Sequence, residues 1–76
     1  MPSPFHWRRK RPSKKTRNAV LWALRGAVSM NPHELAAETG MAWRRVCAAL
    51  NDLNVHGQVE LEDGKYRRTE RAEMSA

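Results

Sequence analysis

A single cysteine, Cys47, stands among 76 residues, which excludes an intrachain disulfide framework and a cysteine-rich zinc finger. Long apolar runs are missing too. The longest helix-forming apolar stretch, residues 19–30, is interrupted by Arg25 and Gly26, so no segment reads as a membrane span, which needs about 20 apolar residues. No apolar block succeeds the basic N-terminus, so that end is not read as a secretory signal. His6, His33 and His56 are scattered without a thiol or carboxylate at ligand spacing, and no metal is expected. Ser-His-Asp sets, paired carboxylates and glycine-rich phosphate loops are likewise absent, so neither catalysis nor a cofactor is expected.

Acid is missing from one end of the chain. Residues 1–17 hold seven cations (Arg8, Arg9, Lys10, Arg11, Lys14, Lys15 and Arg17) and no carboxylate. The remaining seven Lys and Arg face all eight Asp and Glu, so the net charge of +6 belongs to the N-terminal region and the rest is nearly neutral. With three prolines, a charge run and no apolar period, residues 1–13 read as a flexible basic arm. The chain beyond the arm is long enough for one small core.

Helical periodicity begins at Ser13 or Thr16, either of which can cap a helix. Val20, Leu21, Leu24, Ala27 and Val28 form its expected core stripe. Ala19, Trp22, Ala23 and Gly26 cluster on the back of that helix, leaving Asn18 and Arg25 as its polar strip. A second helix is expected from Pro32 to about Thr39. Asn31 caps it, Pro32 suits its first position, and Glu34 completes a capping box. Leu35 and Ala36 point inward and Gly40 ends it. The third helix starts near Ala42, buries Val46, Ala49, Leu50 and Leu53 at i, i+3, i+4, i+7, and stops at Gly57.

After Gly57 the period changes from 3.6 to 2. Val59 and Leu61 alternate with Glu60 and Glu62, and Asp63-Gly64 is a strong two-residue hairpin turn. That turn pairs Glu62 with Lys65, Leu61 with Tyr66 and Glu60 with Arg67, placing opposite charges on one face and apolar groups on the other. Residues 70–76 read as a tail that extends a frayed helix or stays loose.

Two helices joined by a tight glycine-containing turn, preceded by one helix and succeeded by a hairpin, resemble the winged helix-turn-helix domains of bacterial and phage regulators. The resemblance rests on residues 30–59, MNPHELAAETGMAWRRVCAALNDLNVHGQV, and covers roughly residues 14–69. It specifies no branch of that superfamily. It implies an α+β fold of three helices with a C-terminal two-stranded wing. It also implies that the third helix lies in the DNA major groove and that the wing touches backbone or minor groove. The outward residues are then Ala42, Trp43, Arg44, Arg45, Cys47, Ala48 and Asn51. Arg44 and Arg45 suit guanine, and Asn51 suits adenine or a phosphate. Cys47 and Ala48 depart from a polar reading face, and Glu60, Glu62 and Asp63 offset Lys65, Arg67 and Arg68 in the wing.

The cations Arg8, Arg9, Lys10, Arg11, Lys14 and Lys15, with Arg17 as the seventh and with Phe5, His6 and Trp7 beside them, suit phosphates or a minor groove, and up to seven neutralised phosphates give a salt slope of about −6. The same run resembles a nuclear import signal. The expected location is therefore the cytoplasm, on the nucleoid of a bacterium, or the nucleus of a eukaryotic source. Trp22 with Ala19, Ala23 and Gly26 suggests an interface for a second copy or a partner protein through the first helix. Trp43 reads as a packing or stacking residue and Cys47 as a packing residue. The leading expectation is a small repressor-type transcription regulator of phage or plasmid character that binds double-stranded DNA. The alternatives are an adaptor or inhibitor that uses the same scaffold to bind a host polymerase or nuclease, and a structure-directed RNA binder.

Overall fold

The computed structural model describes residues 11–72 and contains, in order, α1 (Lys14–Ala23), α2 (Pro32–Thr39), α3 (Trp43–Val55), β1 (Val59–Glu62) and β2 (Lys65–Arg68). Three helices thus precede a C-terminal antiparallel hairpin, the α+β arrangement expected from the sequence. No helix among the described residues is long and apolar enough to cross a membrane. Residues 1–10 and 73–76, which include the arm cations Arg8, Arg9 and Lys10, lie outside the described residues.

Ser13 is the cap of α1: its hydroxyl accepts from the Thr16 amide at 3.2 Å. Lys14, Lys15 and Arg17 therefore project from a helix. At its other end α1 stops four residues short of Ala27. The chain leaves through a turn in which Gly26 and Ala27 take φ of 77° and 62°. Ala27 and Val28, expected on the core face, are exposed instead. Two successive left-handed residues break the helical phase, so spacing beyond Leu24 no longer maps onto the core. Arg25 Nη1 donates to the Trp22 carbonyl at 2.9 Å, satisfying one of the open acceptors at the helix end.

At α2 the capping box is complete. Asn31 Oδ1 accepts from the Glu34 amide at 2.8 Å while Glu34 Oε1 accepts from the Asn31 amide at 2.9 Å. Gly40 ends the helix in the left-handed region, and Met41 and Ala42 lead directly into α3. Ala42 precedes α3 without supplying a side-chain acceptor, so the first amides of that helix stay open. α3 ends in the hydrogen-bond pattern that a left-handed Gly57 permits, with the Gln58 amide reaching back to the Leu53 carbonyl at 2.8 Å.

The hairpin register is the expected one, Glu62 opposite Lys65, Leu61 opposite Tyr66 and Glu60 opposite Arg67. Asp63 and Gly64 both have positive φ, the turn geometry whose twist matches the strands. An additional pairing holds the hairpin to the domain: Met30 and Tyr66 exchange backbone hydrogen bonds of 3.0 and 2.8 Å. β2 thus has a neighbour on each side and β1 is the free edge. Tyr66 is half-buried beside Met30, whereas Leu61, on the edge, remains 53% exposed.

One core joins these elements. Val20, Leu21, Ala23 and Leu24 from α1 and its end, Leu35 from α2, Val46, Ala49, Leu50 and Leu53 from α3, and Val59 from β1 are all buried. Ala23 corrects the expectation that it lies on the back of the helix. It sits about 60° around the helix from Val20, inside the width of an apolar face. Ala72 packs on the same core from the C-terminal side.

Candidate nucleic-acid interface

Burying Val46, Ala49, Leu50 and Leu53 leaves Arg44, Ala48 and Asn51 exposed on the opposite side of α3, with Cys47 half-buried beside them. Val55, absent from the face read in the sequence, continues this stripe and is 73% exposed. The polar part of the stripe is therefore confined to the first turns of the helix. Trp43 opens α3, half-exposed, with its ring stacked on His33 of α2 at 5.6 Å between centroids and 17° between planes. One face of the indole is used within the domain, which fixes its direction at the start of α3.

A second stripe, Arg45, Ala48 and Asp52, runs along the flank of α3 that looks toward the start of α1. Arg45 and Ala48 line an open groove of about 560 Å³ together with Lys15, Thr16 and Ala19 of α1 and Met41 of the turn. One turn further along this flank, Arg11 grips Asp52 with two parallel bonds, Nε to Oδ1 and Nη2 to Oδ2, each 2.8 Å. The Asp52 side chain is only 12% exposed. Arg11, foremost by its hydrogen bonds, holds the Asp52 carboxyl below the usual carboxylate range against the opposing cost of burial, with His56 and Arg17 assisting through their charge. The arm therefore enters the domain at the flank of α3.

Not all the site cations are equally free. Arg67 is bound to Glu60 across the hairpin, and Arg68 Nη1 donates to the Leu21 carbonyl at 3.3 Å. Two of the three wing cations are thus engaged inside the domain. By contrast, Lys15, Arg44, Arg45 and Lys65 have no ion pair among the described residues. Lys14 interacts elsewhere in the structure.

The back of α1 is also divided. Ala23 is in the core, Ala19 lines the groove toward α3, and Gly26 lies in the turn beyond the helix. Trp22 remains 56% exposed with the Arg25 guanidinium over its ring at 4.1 Å. These residues do not form the continuous stripe of small side chains expected from their spacing. Among the described residues no group of His, Cys, Asp and Glu is gathered for a metal ion.

Neither Asp52 nor the groove was marked by sequence spacing. Asp52 reads locally as a solvated helix residue, and its partner is 41 positions away. The available signal was that Asp52 lies two turns from Arg45 on one stripe, opposite in charge to everything in the arm. Compared with protein-family models, curated proteins and solved structures, the chain matches none of them.

The Asp52 contact has a pH signature. A carboxyl whose folded-state pKa is depressed stabilises the fold above its unfolded value, about 4, and that contribution is lost as pH falls through the folded value. Urea midpoints of the wild type and Asp52→Asn are expected to differ at pH 6 and to converge as the pH drops below about 4. A constant difference down to the acid limit assigns the effect to something other than this carboxyl.

Proposed function

We propose that the protein is a small double-stranded DNA-binding regulator of the winged helix-turn-helix kind, acting as a repressor by occupying its site. The observation that carries this reading is the set of cations Lys15, Arg44 and Arg45, without an ion pair among the described residues, at the start of α1 and the first turn of α3. They stand where the open amides of α3 add a positive end. In this reading α3 enters the major groove, Arg44 and Asn51 approach base edges, and the basic arm supplies phosphate or minor-groove contacts. Lys65 brings the tip of the hairpin toward the backbone. Affinity then comes chiefly from the arm and placement from α3.

The adaptor reading draws on the exposed Trp22, but that ring is already covered in part by Arg25. Fluorescence anisotropy of the full chain with a panel of duplexes tests the choice. Arg44→Ala is expected to cost about 1–3 kcal/mol on the preferred duplex and to flatten the differences between duplexes. If no duplex binds even at low salt the DNA reading fails, and if RNA does not bind either, a protein partner takes its place.

A further inference from the structure

The two arginines at the start of α3 are adjacent in sequence but belong to different surfaces. Arg44 lies on the outward stripe, whereas Arg45 turns into the groove beside α1. Lys15 faces Arg45 across that groove, and no carboxylate among the described residues lines it. The groove on the hairpin side is different, because there Glu60 and Glu70 accompany Arg67, Arg68 and Arg71. Among the described lining residues, positive charge is thus unopposed in the first groove, whereas in the second two carboxylates offset two of the three arginines.

We propose that the groove between α1 and α3 seats one backbone phosphate of bound DNA, with Lys15 and Arg45 as its two cationic walls. This rests on the DNA-binding reading above and divides the labour of α3: Arg45 anchors, Arg44 reads. Ala19 and Ala48 make room, since neither side chain extends beyond a methyl group into the space between the helices. The polar groups that remain for an incoming oxygen can be counted. Thr39 Oγ1 is spent, donating to the Leu35 carbonyl at 2.7 Å and accepting from the Met41 amide at 3.3 Å. Ser13 Oγ and Thr16 Oγ1 share one proton at 2.9 Å, which leaves one hydroxyl proton of that pair for an acceptor in the groove. Two cations and one hydroxyl, all donors, suit a phosphodiester oxygen pair. A repeating polyanion is favoured over a lone acidic side chain because the cations continue beyond the slot. Arg44 lies on one side of it, and the arm enters on the other at the Arg11–Asp52 contact.

The test is a salt series of duplex binding by the full-length wild type, Lys15→Gln, Arg45→Gln and Arg44→Gln, with Arg25→Gln as a cation removed from outside the interface. All these side chains are exposed, so their replacement leaves the core intact. Lys15→Gln and Arg45→Gln are each expected to reduce the salt slope by about 0.9 and to weaken all duplexes by a similar factor. Arg44→Gln should instead change the ranking of duplexes. Arg25→Gln should leave slope and ranking as they are. If Lys15→Gln and Arg45→Gln keep the wild-type slope, or Arg45→Gln changes base preference, the slot is wrong while the DNA reading stands. If the wild type binds no duplex, that reading is lost and inorganic pyrophosphate decides about the groove. NMR shifts at Lys15 and Arg45 that vanish in the double variant support an anion slot, and absence of such shifts overturns it.

Discussion

Removing residues 1–10 is expected to lower duplex affinity by about two orders of magnitude near physiological salt, and to leave the fold intact. The deletion takes away Arg8, Arg9 and Lys10, which the sequence places in a run without a single carboxylate. Each phosphate neutralised contributes about 0.9 to the salt slope, so three lost contacts should flatten it by about 3. No residue of the described core precedes Val20, which is why the thermal midpoint should move little. Extending the deletion through Arg11 gives a sharper outcome. Arg11 is already neutralised by Asp52, so its loss should flatten the slope no further, while affinity drops because the Asp52 carboxylate on the flank of α3 loses its main cationic partner. Anisotropy titrations of the three lengths at several salt concentrations provide the comparison. Coincident slopes for the full chain and the shortest variant would remove the arm from the interface.

Leu50→Ala should unfold most of the population at 37 °C. Leu50 is 1% exposed in the middle of α3 and lies in the one core shared by the helices and β1. Replacing a buried Leu by Ala costs about 2–5 kcal/mol, the lost transfer energy plus the cavity left behind. A single core in a chain of this size supplies only about 3–5 kcal/mol, so the substitution is of the same size as the whole stability. Val55→Ala, on the same helix but 73% exposed, is expected to change stability by less than about 0.5 kcal/mol. Urea denaturation monitored by far-UV circular dichroism distinguishes them. An unchanged midpoint for Leu50→Ala contradicts the central place given to this side chain.

Much of the fold can be read from short stretches of sequence. Asn31, Pro32 and Glu34 specify the start of α2 because every bond of the capping box is made within four residues. Asp63-Gly64 sets the hairpin register for the same reason: the turn admits one geometry, and the alternation of Glu and Leu then sorts the faces. The inward stripe of α3 comes from helical spacing alone. The end of α1 was less legible. Ala27 and Val28 keep the helical spacing, yet the left-handed turn at Gly26 and Ala27 removes them from the helix. A periodic pattern gives the phase of a helix and not the point where it stops.

The candidate interface divides along similar lines. Arg44, Arg45 and Asn51 are recognisable as outward residues of α3 from the burial pattern, and the charge imbalance between arm and domain is visible by counting. Sequence alone thus determined the order of elements, the register of the hairpin and the location of excess positive charge, since each depends on interactions between near neighbours or on composition. The packing of the elements against one another decided the rest. It turned Arg45 away from Arg44 and toward Lys15, spent Arg11 on Asp52, put Ala23 in the core, and fastened Tyr66 to Met30. Those contacts join residues dozens of positions apart, and such pairs meet only when a common core has fixed the helices against each other.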